Sequence, residues 1–539
     1  MICKISRFLP FIVPVVMLVL VAQMRIDPWH DEAMLLANLL IPDLNLFAPL
    51  PQYEQAGPVG YLWIARVLLT LTGSEPPYAV LRLLSAFFFA AGTGVLLASQ
   101  PLRSRPVAAL IFAAIICGSS LIWSYTFEIK HYSAEFFASA LVLVVGLPLA
   151  SSDRVATFVR FLVAVLIGGL LSFTLPVVVA GLLGGIAVVR LAEGGSARSG
   201  LSLPFILTGA TALAYLFILY VFLNKELVIY QLSAYAHVYG RGAPSDLVGI
   251  LIARTIGLLD VATFMFGSAM PEAIRQALVD LGMPLSLSYH LVRLLAVVIV
   301  AGALWMAMIE APDVGAVGIS IMLVVAVLGL GGALQIASAR HTIFLSPLAA
   351  LIFTFSLTYL LDRLLPGRPS EILSGILLVS SLVLGVNHGL NRETQEITKL
   401  LVHIRDTRAD APVWVFGGAQ PALRVLSPPP ARVLGMFDPT SAKIAWQVRG
   451  GEVRSIATSE IPWQVNPDYP QTIANLASGE KALWLLFSND GLIPDRSAFL
   501  AVAEKAIGAC VHPLESWASA LYFCEEKGDA AAIGRAADR

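Results

Sequence analysis

The chain has 539 residues, of which 57 % are apolar and 13 % are charged, and its formal net charge is −1. Soluble domains are about 45–50 % apolar and about 25 % charged, so this composition indicates an integral membrane protein. A nucleic-acid partner would need a basic face, and a net charge so close to zero argues against such a partner.

Long apolar segments follow one another along the sequence as far as Gly385. Because a helix needs about 20 such residues to cross the hydrocarbon core of a bilayer, the sequence predicts an α-helical polytopic membrane protein with about eleven spans. Pro176 breaks one apolar stretch, which is either two short spans or one bent unit. The predicted spans are Phe8–Ala22, Leu81–Ala98, Val107–Ile122, Phe136–Leu149, Phe158–Leu171, Pro176–Val189, Leu203–Phe222, Leu291–Ile309, Val314–Leu334, Ile343–Leu361 and Ile372–Gly385.

The first predicted span follows Lys4 and Arg7 and has the outline of a signal peptide. Its small-residue cleavage pattern is poor, because Leu20 occupies the −3 position before Ala22. We therefore interpret this segment as an uncleaved membrane helix.

Positive charge in the short loops predicts the orientation of the chain. Lys4 and Arg7 place the N-terminus in the cytoplasm. The loops that are then cytoplasmic carry further arginines, at positions 103 and 105, 154, 190 and 198, and 363 and 368. This orientation places residues 23–80, 123–135, 223–290 and 335–342 outside the cytoplasm, together with the tail after Gly385.

The tail has the composition of a soluble domain, so we predict a transmembrane domain over residues 1–388 and an extracytoplasmic α/β domain over residues 389–539. The runs Val413–Phe416 and Ala482–Phe487 indicate buried strands, and Arg496–Ile507 indicates a helix. Cys510 and Cys524 lie close together in this tail. A disulfide between them requires an oxidising compartment, which the predicted orientation supplies.

The first outer segment carries three carboxylates. Asp31 and Glu32 follow the first span and precede the amphipathic stretch Ala33–Leu40, which we expect to lie along the membrane interface. Acids at a helix start are favoured by the macrodipole alone. A third acid, Glu54, precedes a Gly-Pro turn and a second interfacial helix, and the three acids together favour a general base or a cation site.

The second outer segment, Trp123–Glu135, is short and rich in ionisable residues, among them Lys130 and His131. Anchoring at the headgroup level explains its aromatic residues but explains its Glu-x-Lys-His-Tyr sequence less well. A lysine and a histidine at the outer rim suit an anionic group such as a phosphate. Arg340 and His341 precede the tenth span and are either a second phosphate contact or snorkelling side chains.

Motifs typical of soluble enzymes are absent from the sequence. It contains no Walker A loop, no dinucleotide-binding glycine loop, no serine nucleophile elbow and no CxxC metal site. We therefore expect no nucleotide cofactor.

Taken in order, these segments resemble the GT-C superfamily of membrane glycosyltransferases, and more narrowly its bacterial branch related to protein O-mannosyltransferases and lipid A aminoarabinose transferases. The resemblance covers residues 8–385. It is carried by the Asp31-Glu32 pair, the YEQAGPVGYLW sequence, the Arg82-Leu83-Leu84-Ser85 sequence, the EIKHYSAEFF sequence and the ARHTIFLSP sequence.

The resemblance implies a multi-pass protein of the bacterial inner membrane that takes a sugar from a polyprenyl-phosphate donor on the outer side. The first acid of the pair, Asp31, would be the general base, with Glu32 beside it in the site, and a single displacement would invert the anomeric centre. The positive charge that stabilises the leaving phosphate would come from Lys130, His131, Arg340 and His341 or from a divalent cation.

The same resemblance implies a metal near Glu54. In the aminoarabinose branch an acid–lysine pair occupies this place, and here Gln55 replaces the lysine. The acceptor is left open among a glycolipid, a polysaccharide and a protein.

Two other functions are compatible with the sequence. A polysaccharide polymerase would use a similar donor with a larger groove, which residues 223–290 do not exclude. A transporter or flippase would show inverted repeats and charges near the bilayer midplane, whereas here the polar clusters lie at the outer ends of spans.

Overall fold

The computed structural model describes most of the membrane region and part of the C-terminal region. The described residues are 6–23, 27–41, 43–48, 50–51, 55–73, 78–192, 201–224, 247–265, 269–331, 333–334, 339–390, 396–408, 411–415, 419–426, 445–448, 451–455, 481–488, 496–516 and 519–525.

Helices make up nearly all of the described membrane region. In chain order they are α1 (Leu9–Gln23), α2 (His30–Leu39), α3 (Val59–Thr72), α4 (Tyr78–Ala98), α5 (Pro106–Gly118), α6 (Ser120–Thr126), α7 (Tyr132–Gly146), α8 (Val155–Leu171), α9 (Leu175–Ala192), α10 (Leu203–Leu219), α11 (Leu247–Phe264), α12 (Ala269–Asp280), α13 (Leu285–Glu310), α14 (Pro312–Gly331), α15 (Ser346–Leu364) and α16 (Arg368–Leu390). Short helical turns lie at Gln100–Arg103, Leu147–Ala150 and Ala339–Leu345, and a π-helical turn lies at Tyr220–Asn224.

The chain divides into two compact units. The first contains Met1–Gln23, Gly57–Ile64 and Leu81–Arg392. The second contains Met24–Ala56 and Ala65–Val80 as well as Glu393–Arg539, so the Asp31-Glu32 segment belongs to the same unit as the C-terminal region.

Eight helices of the described chain are long and apolar enough to cross a membrane, and a bent pair of helices, α5 and α6, makes a ninth candidate. Two further predicted spans are the shorter apolar helices α1 and α8, of 15 and 17 residues. Each of the eleven predicted spans thus coincides with an apolar helix. The predicted class, a polytopic α-helical membrane protein with a C-terminal α/β region, is confirmed.

Glycines allow α9 and α14 to pack closely. Gly181 and Gly185 are one turn apart on α9, and a Cβ atom on either would collide with the backbone of Ile321 or Val317 on α14. Small residues at this spacing let helix backbones approach one another in a membrane. These two helices form part of the wall of the cavity described below.

The second unit contains α17 (Ile397–Arg408), α18 (Gln420–Leu426) and α19 (Arg496–Ala506) with a six-stranded sheet. The strands are β1 (Val413–Val415), β2 (Ala445–Val448), β3 (Gly451–Ser455), β4 (Ala482–Ser488), β5 (Ala509–Ser516) and β6 (Ser519–Glu525), in the order β2-β3-β1-β4-β6-β5. β1 runs parallel to β3 and β4, and the other pairs are antiparallel.

The strands and the helix predicted for the tail are present. β4 is buried at every position, as expected for an apolar run in the middle of a sheet. Cys510 and Cys524 lie opposite each other on β5 and β6 and form a disulfide.

One expectation for the outer segments was wrong. Ala33–Leu40 was predicted to be amphipathic, but nine of the ten residues of α2 are buried, because α18 packs against it. The segment 223–290, which the sequence places outside the cytoplasm, contains the helices α11 and α12 in its described part.

Candidate functional site

A break in the fold after α5 positions the second outer segment. α5 ends at Gly118, α6 starts at Ser120, and the two helices meet at an angle of 62°. The hydroxyl of Ser119 accepts a hydrogen bond from the backbone nitrogen of Ile122, 3.3 Å away, and so caps α6. Because α6 is only two turns long, the chain leaves it at Phe127 and reaches Lys130 and His131 before α7 begins.

The residues between α6 and α7 are ionisable and buried. Glu128, Lys130 and His131 are 3 %, 5 % and 9 % exposed. Residues that only anchor a protein at the headgroup level keep their charged ends in solvent, so this burial favours a role inside the protein.

The four predicted basic residues come together. The helical turn Ala339–Leu345, which carries Arg340 and His341, packs against α7. Burial, together with the nearby positive charges of Lys130, His341 and Arg340, lowers the pKa of His131 to about 3. His131 is therefore neutral near pH 7, and the other basic residues around it supply the positive charge of the cluster.

One nitrogen of His131 has no hydrogen-bond partner in the described part of the chain. Its Nδ1 atom is buried and has no partner among the residues that the structure describes. Phe173 and Tyr132 lie beside the ring, with centroids 5.7 Å and 4.8 Å from that of His131. A buried polar atom without a partner is costly, so this nitrogen is available to a ligand.

A cavity of about 660 Å³ opens at this cluster. Its polar end contains His131, Tyr132, Glu135, Thr174 and His341. The rest of the wall is apolar and comes from α9, α10 and the residues at and after the end of α14. These lining residues are Pro176, Val177, Ala180, Leu213, Leu216, Phe217, Tyr220, Leu328, Ala333 and Leu334, with Phe173 between the two parts.

The α10 side of the cavity faces outward from the bundle. Leu213 and Phe217 line the cavity and are also 41 % and 67 % exposed. A cavity with a polar end and an exposed apolar side suits a molecule with a charged head and a hydrocarbon tail.

Glu135 has a structural contact of its own. Its carboxylate accepts a hydrogen bond from the backbone nitrogen of Phe173, 3.3 Å away, and also bonds to Thr174. The side chain thereby fixes the link between α8 and α9 to the start of α7. Since Glu135 also lines the cavity, it holds the shape of the polar end.

Asp31 and Glu32 lie in the second unit and differ in environment. Glu32 is 3 % exposed, and its carboxylate accepts a hydrogen bond from the backbone nitrogen of Trp29, 2.8 Å away. This contact caps the start of α2. Asp31 is the one residue of α2 that is not buried, which leaves it more accessible to a substrate than Glu32.

Glu54, the residue of the predicted metal site, lies outside the described residues. Within the part of the chain that the structure describes, no three histidine, cysteine, aspartate or glutamate side chains come together to hold a metal ion.

Sequence patterns did not identify the cavity-lining residues of α10 or of the link between α8 and α9. Thr174 and Phe173 lie between two predicted short spans, and Leu213 and Phe217 belong to an unremarkable apolar span. Only the break in hydropathy at residues 172–174 marks this region in the sequence.

No protein-family model matches this sequence, and no curated protein sequence matches it. Among solved structures, the chain is similar to ArnT from Cupriavidus metallidurans bound to undecaprenyl phosphate, with a TM-score of 0.48 and 11 % identity over 97 % of each chain. It is also similar to the apo state of the same ArnT, with a TM-score of 0.38 and 12 % identity over 96 % of this chain and 97 % of that one.

Proposed function

We propose that this protein is a glycosyltransferase that moves a sugar from a polyprenyl-phosphate donor to an acceptor outside the cytoplasm. The observation that carries the proposal is the cavity of the first unit, which has His131 and His341 of the basic cluster at its polar end and an apolar wall with an exposed side. A phosphate with a hydrocarbon tail has the same division between a charged head and an apolar chain.

The basic cluster would act on the leaving group. When the sugar departs, negative charge accumulates on the lipid phosphate, and fixed positive charge in a water-poor site stabilises that charge. Lys130 is 5 % exposed and would be a point charge for the phosphate, with Arg340 and His341 beside it. A bound phosphate would also give the Nδ1 atom of His131 a partner.

Asp31 is proposed as the general base that takes the proton of the acceptor hydroxyl. Its support is the sequence resemblance together with the accessibility of Asp31 on a helix that is otherwise buried. Glu32 is engaged at the start of α2 and is better suited to holding the helix than to proton transfer. One displacement at the anomeric carbon gives inversion.

The setting of the reaction is part of the proposal. The positive-charge pattern of the loops supports a cytoplasmic N-terminus and an extracytoplasmic C-terminal domain in a bacterial inner membrane. The disulfide between Cys510 and Cys524 supports an oxidising location for that domain. The acceptor is a lipid, a polysaccharide or a protein of that compartment.

Ligand-induced thermal stabilisation tests donor binding. A ligand that binds only the folded state stabilises the protein by about 2.7 kcal/mol when the free ligand concentration is 100 times the Kd. We expect polyprenyl phosphate to raise the Tm of the purified protein more than the uncharged polyprenol does. Lys130→Ala should remove most of this difference, because the variant loses a buried cation of the cluster.

Lys399→Ala is the matched control, since Lys399 is an exposed lysine whose ammonium pairs with Glu396 in the second unit. This variant should respond to the two lipids as the wild type does. Equal stabilisation of the wild type by polyprenyl phosphate and polyprenol would contradict the proposal.

A further inference from the structure

The helix that carries Asp31 is fastened to the C-terminal α/β region at several points within the second unit. α18, which follows β1, packs against α2. Ala422 and Val425 of α18 are buried, as is the apolar body of α2. α2 is therefore a component of the core of this unit.

A second attachment lies four residues before Asp31. One carboxylate oxygen of Asp27 accepts a hydrogen bond from the backbone nitrogen of Thr398 at 2.6 Å. The other carboxylate oxygen accepts one from the side-chain hydroxyl of Thr398 at 2.8 Å. Thr398 is the second residue of α17. The first-turn nitrogens of a helix have no partner within the helix, and the dipole favours an anion there, so Asp27 caps α17 across 371 residues of sequence.

α17 is in turn fixed to the sheet. The indole nitrogen of Trp484 on β4 donates to the carbonyl oxygen of Arg408, the last residue of α17, at 2.9 Å. The guanidinium of Arg408 pairs with Glu525 on β6 at 2.9 Å. Ile397, Leu400 and Ile404, on the inner face of α17, are buried. A continuous set of contacts thus runs from the sheet through α17 to Asp27.

The other end and the middle of α2 are also held. Arg66 donates a hydrogen bond to the carbonyl oxygen of Leu39, the last residue of α2. The amide nitrogen of Gln55 lies 3.4 Å from the sulfur of Met34. Arg66 and Gln55 thus contact the end and the middle of α2, and Asp27, four residues before Asp31, joins the chain at its N-terminal end to α17.

We infer that the C-terminal α/β region positions the Asp31 helix and that Asp27 is the positioning residue that joins them. The role of Asp31 in this inference rests on the proposed function. The attachment of α2 to the C-terminal region does not depend on it. Proton transfer depends on the placement of the base to within a fraction of an ångström, so a loosened α2 would slow the chemical step more than it weakens donor binding.

Hydrogen–deuterium exchange of the full-length protein in lipid nanodiscs tests the attachment without any assay of activity. In Asp27→Ala, amide exchange in residues 30–39 should rise by about tenfold or more, because the variant loses both hydrogen bonds that the Asp27 carboxylate accepts from Thr398. Thr398→Val keeps the backbone donor and removes the hydroxyl, so it should give a smaller increase in the same residues. Lys399→Ala, on the same turn of α17, should leave exchange in residues 30–39 unchanged.

Thr398→Val is the decisive variant for the attachment, because the changed residue lies in the C-terminal region and the expected effect lies in α2. Faster exchange confined to residues 397–408, with residues 30–39 unaffected in both variants, would overturn the inference. In the transfer reaction we expect Asp27→Ala to lower kcat by about tenfold with the donor KM unchanged. Thr398→Ser, which keeps both donors, should retain the kcat of the wild type.

The two proposals fail separately. Full transfer activity in Asp31→Asn would remove the proposed base and would leave the exchange result standing. Unchanged exchange in residues 30–39, with transfer lost in Asp31→Asn, would remove only the positioning role of Asp27 and the C-terminal region.

Discussion

The indole nitrogen of Trp123 donates a hydrogen bond to the carbonyl oxygen of Cys117, with 2.6 Å between the two atoms. The bond crosses the break between α5 and α6, where the last carbonyl groups of α5 lose their helical partners. Gly385 of α16 lies against the same two residues so closely that a Cβ atom would overlap both. This group of contacts fixes the direction of α6, and with it the position of Lys130.

Trp123→Phe should test this relationship. Phenylalanine keeps an aromatic ring beside Phe127, whose ring stacks on Trp123 at 5.9 Å, but it leaves the carbonyl oxygen of Cys117 buried without its donor. A buried group without its partner costs about 1–3 kcal/mol. We expect a lower Tm and weaker stabilisation by polyprenyl phosphate. An unchanged response to the lipid would mean that the bend does not position the basic cluster.

Gly185→Ala should destabilise the packing of α9 on α14. The added Cβ atom would lie 2.5 Å from the Cα atom of Val317, so the helices must separate. Overpacking of this kind costs about 1–3 kcal/mol. Gly302→Ala on α13 is the matched control, because no atom lies within 4 Å of its added Cβ. Thermal unfolding should show a lower Tm for the first variant only, and equal Tm values would contradict the packing described.

His131 should make stability depend on pH. Its ordinary pKa is 6.5 and its pKa in the fold is about 3, chiefly because of burial. Between these values the unfolded chain binds a proton that the folded chain does not, so stability is fully present above pH 6.5 and falls as the pH is lowered. His131→Gln should flatten the Tm profile between pH 6.5 and pH 4. An identical slope in both proteins would show that His131 is not buried in neutral form.

The disulfide between Cys510 and Cys524 should be found by mass spectrometry of peptides prepared without reductant. It closes a loop with a sequence separation of 14, which corresponds to about 3 kcal/mol of stabilisation. Replacing both cysteines by serine should therefore lower the unfolding temperature of the C-terminal region. Two free thiols in the native protein would contradict both the pairing and the oxidising location proposed for this region.

The grouping of the basic residues was predictable from the sequence, because loop charges assign Lys130, His131, Arg340 and His341 to the same side of the membrane. The apolar wall was not predictable. Which face of α10 lines a cavity depends on packing between helices, and Leu213 and Phe217 have no local signal that separates them from residues that face lipid.

α11 was missed for a different reason. Arg254 and Asp260 interrupt its apolar sequence, and each has a partner that the sequence does not reveal. Arg254 donates to the carbonyl oxygen of Leu330 at 2.8 Å, and Asp260 pairs with Arg293 of α13. Once these charges are paired, the segment forms a helix that its charge pattern alone does not suggest.

Likewise, the difference between Asp31 and Glu32 follows from structure. Both acids stand at a helix start, where the macrodipole favours either one. The hydrogen bond from the backbone nitrogen of Trp29 to Glu32 separates their environments, and it requires the chain direction just before α2 to be known.

The most direct test of the central claim is a transfer assay with a panel of radiolabelled polyprenyl-phosphate sugars and a cell-envelope extract as acceptor. The wild type should incorporate label from one donor. Asp31→Asn should incorporate none while it keeps the Tm of the wild type and its stabilisation by polyprenyl phosphate. Transfer by Asp31→Asn at the wild-type rate would contradict the assignment of the base. A folded wild type that uses no donor in the panel would contradict the proposed glycosyl transfer itself.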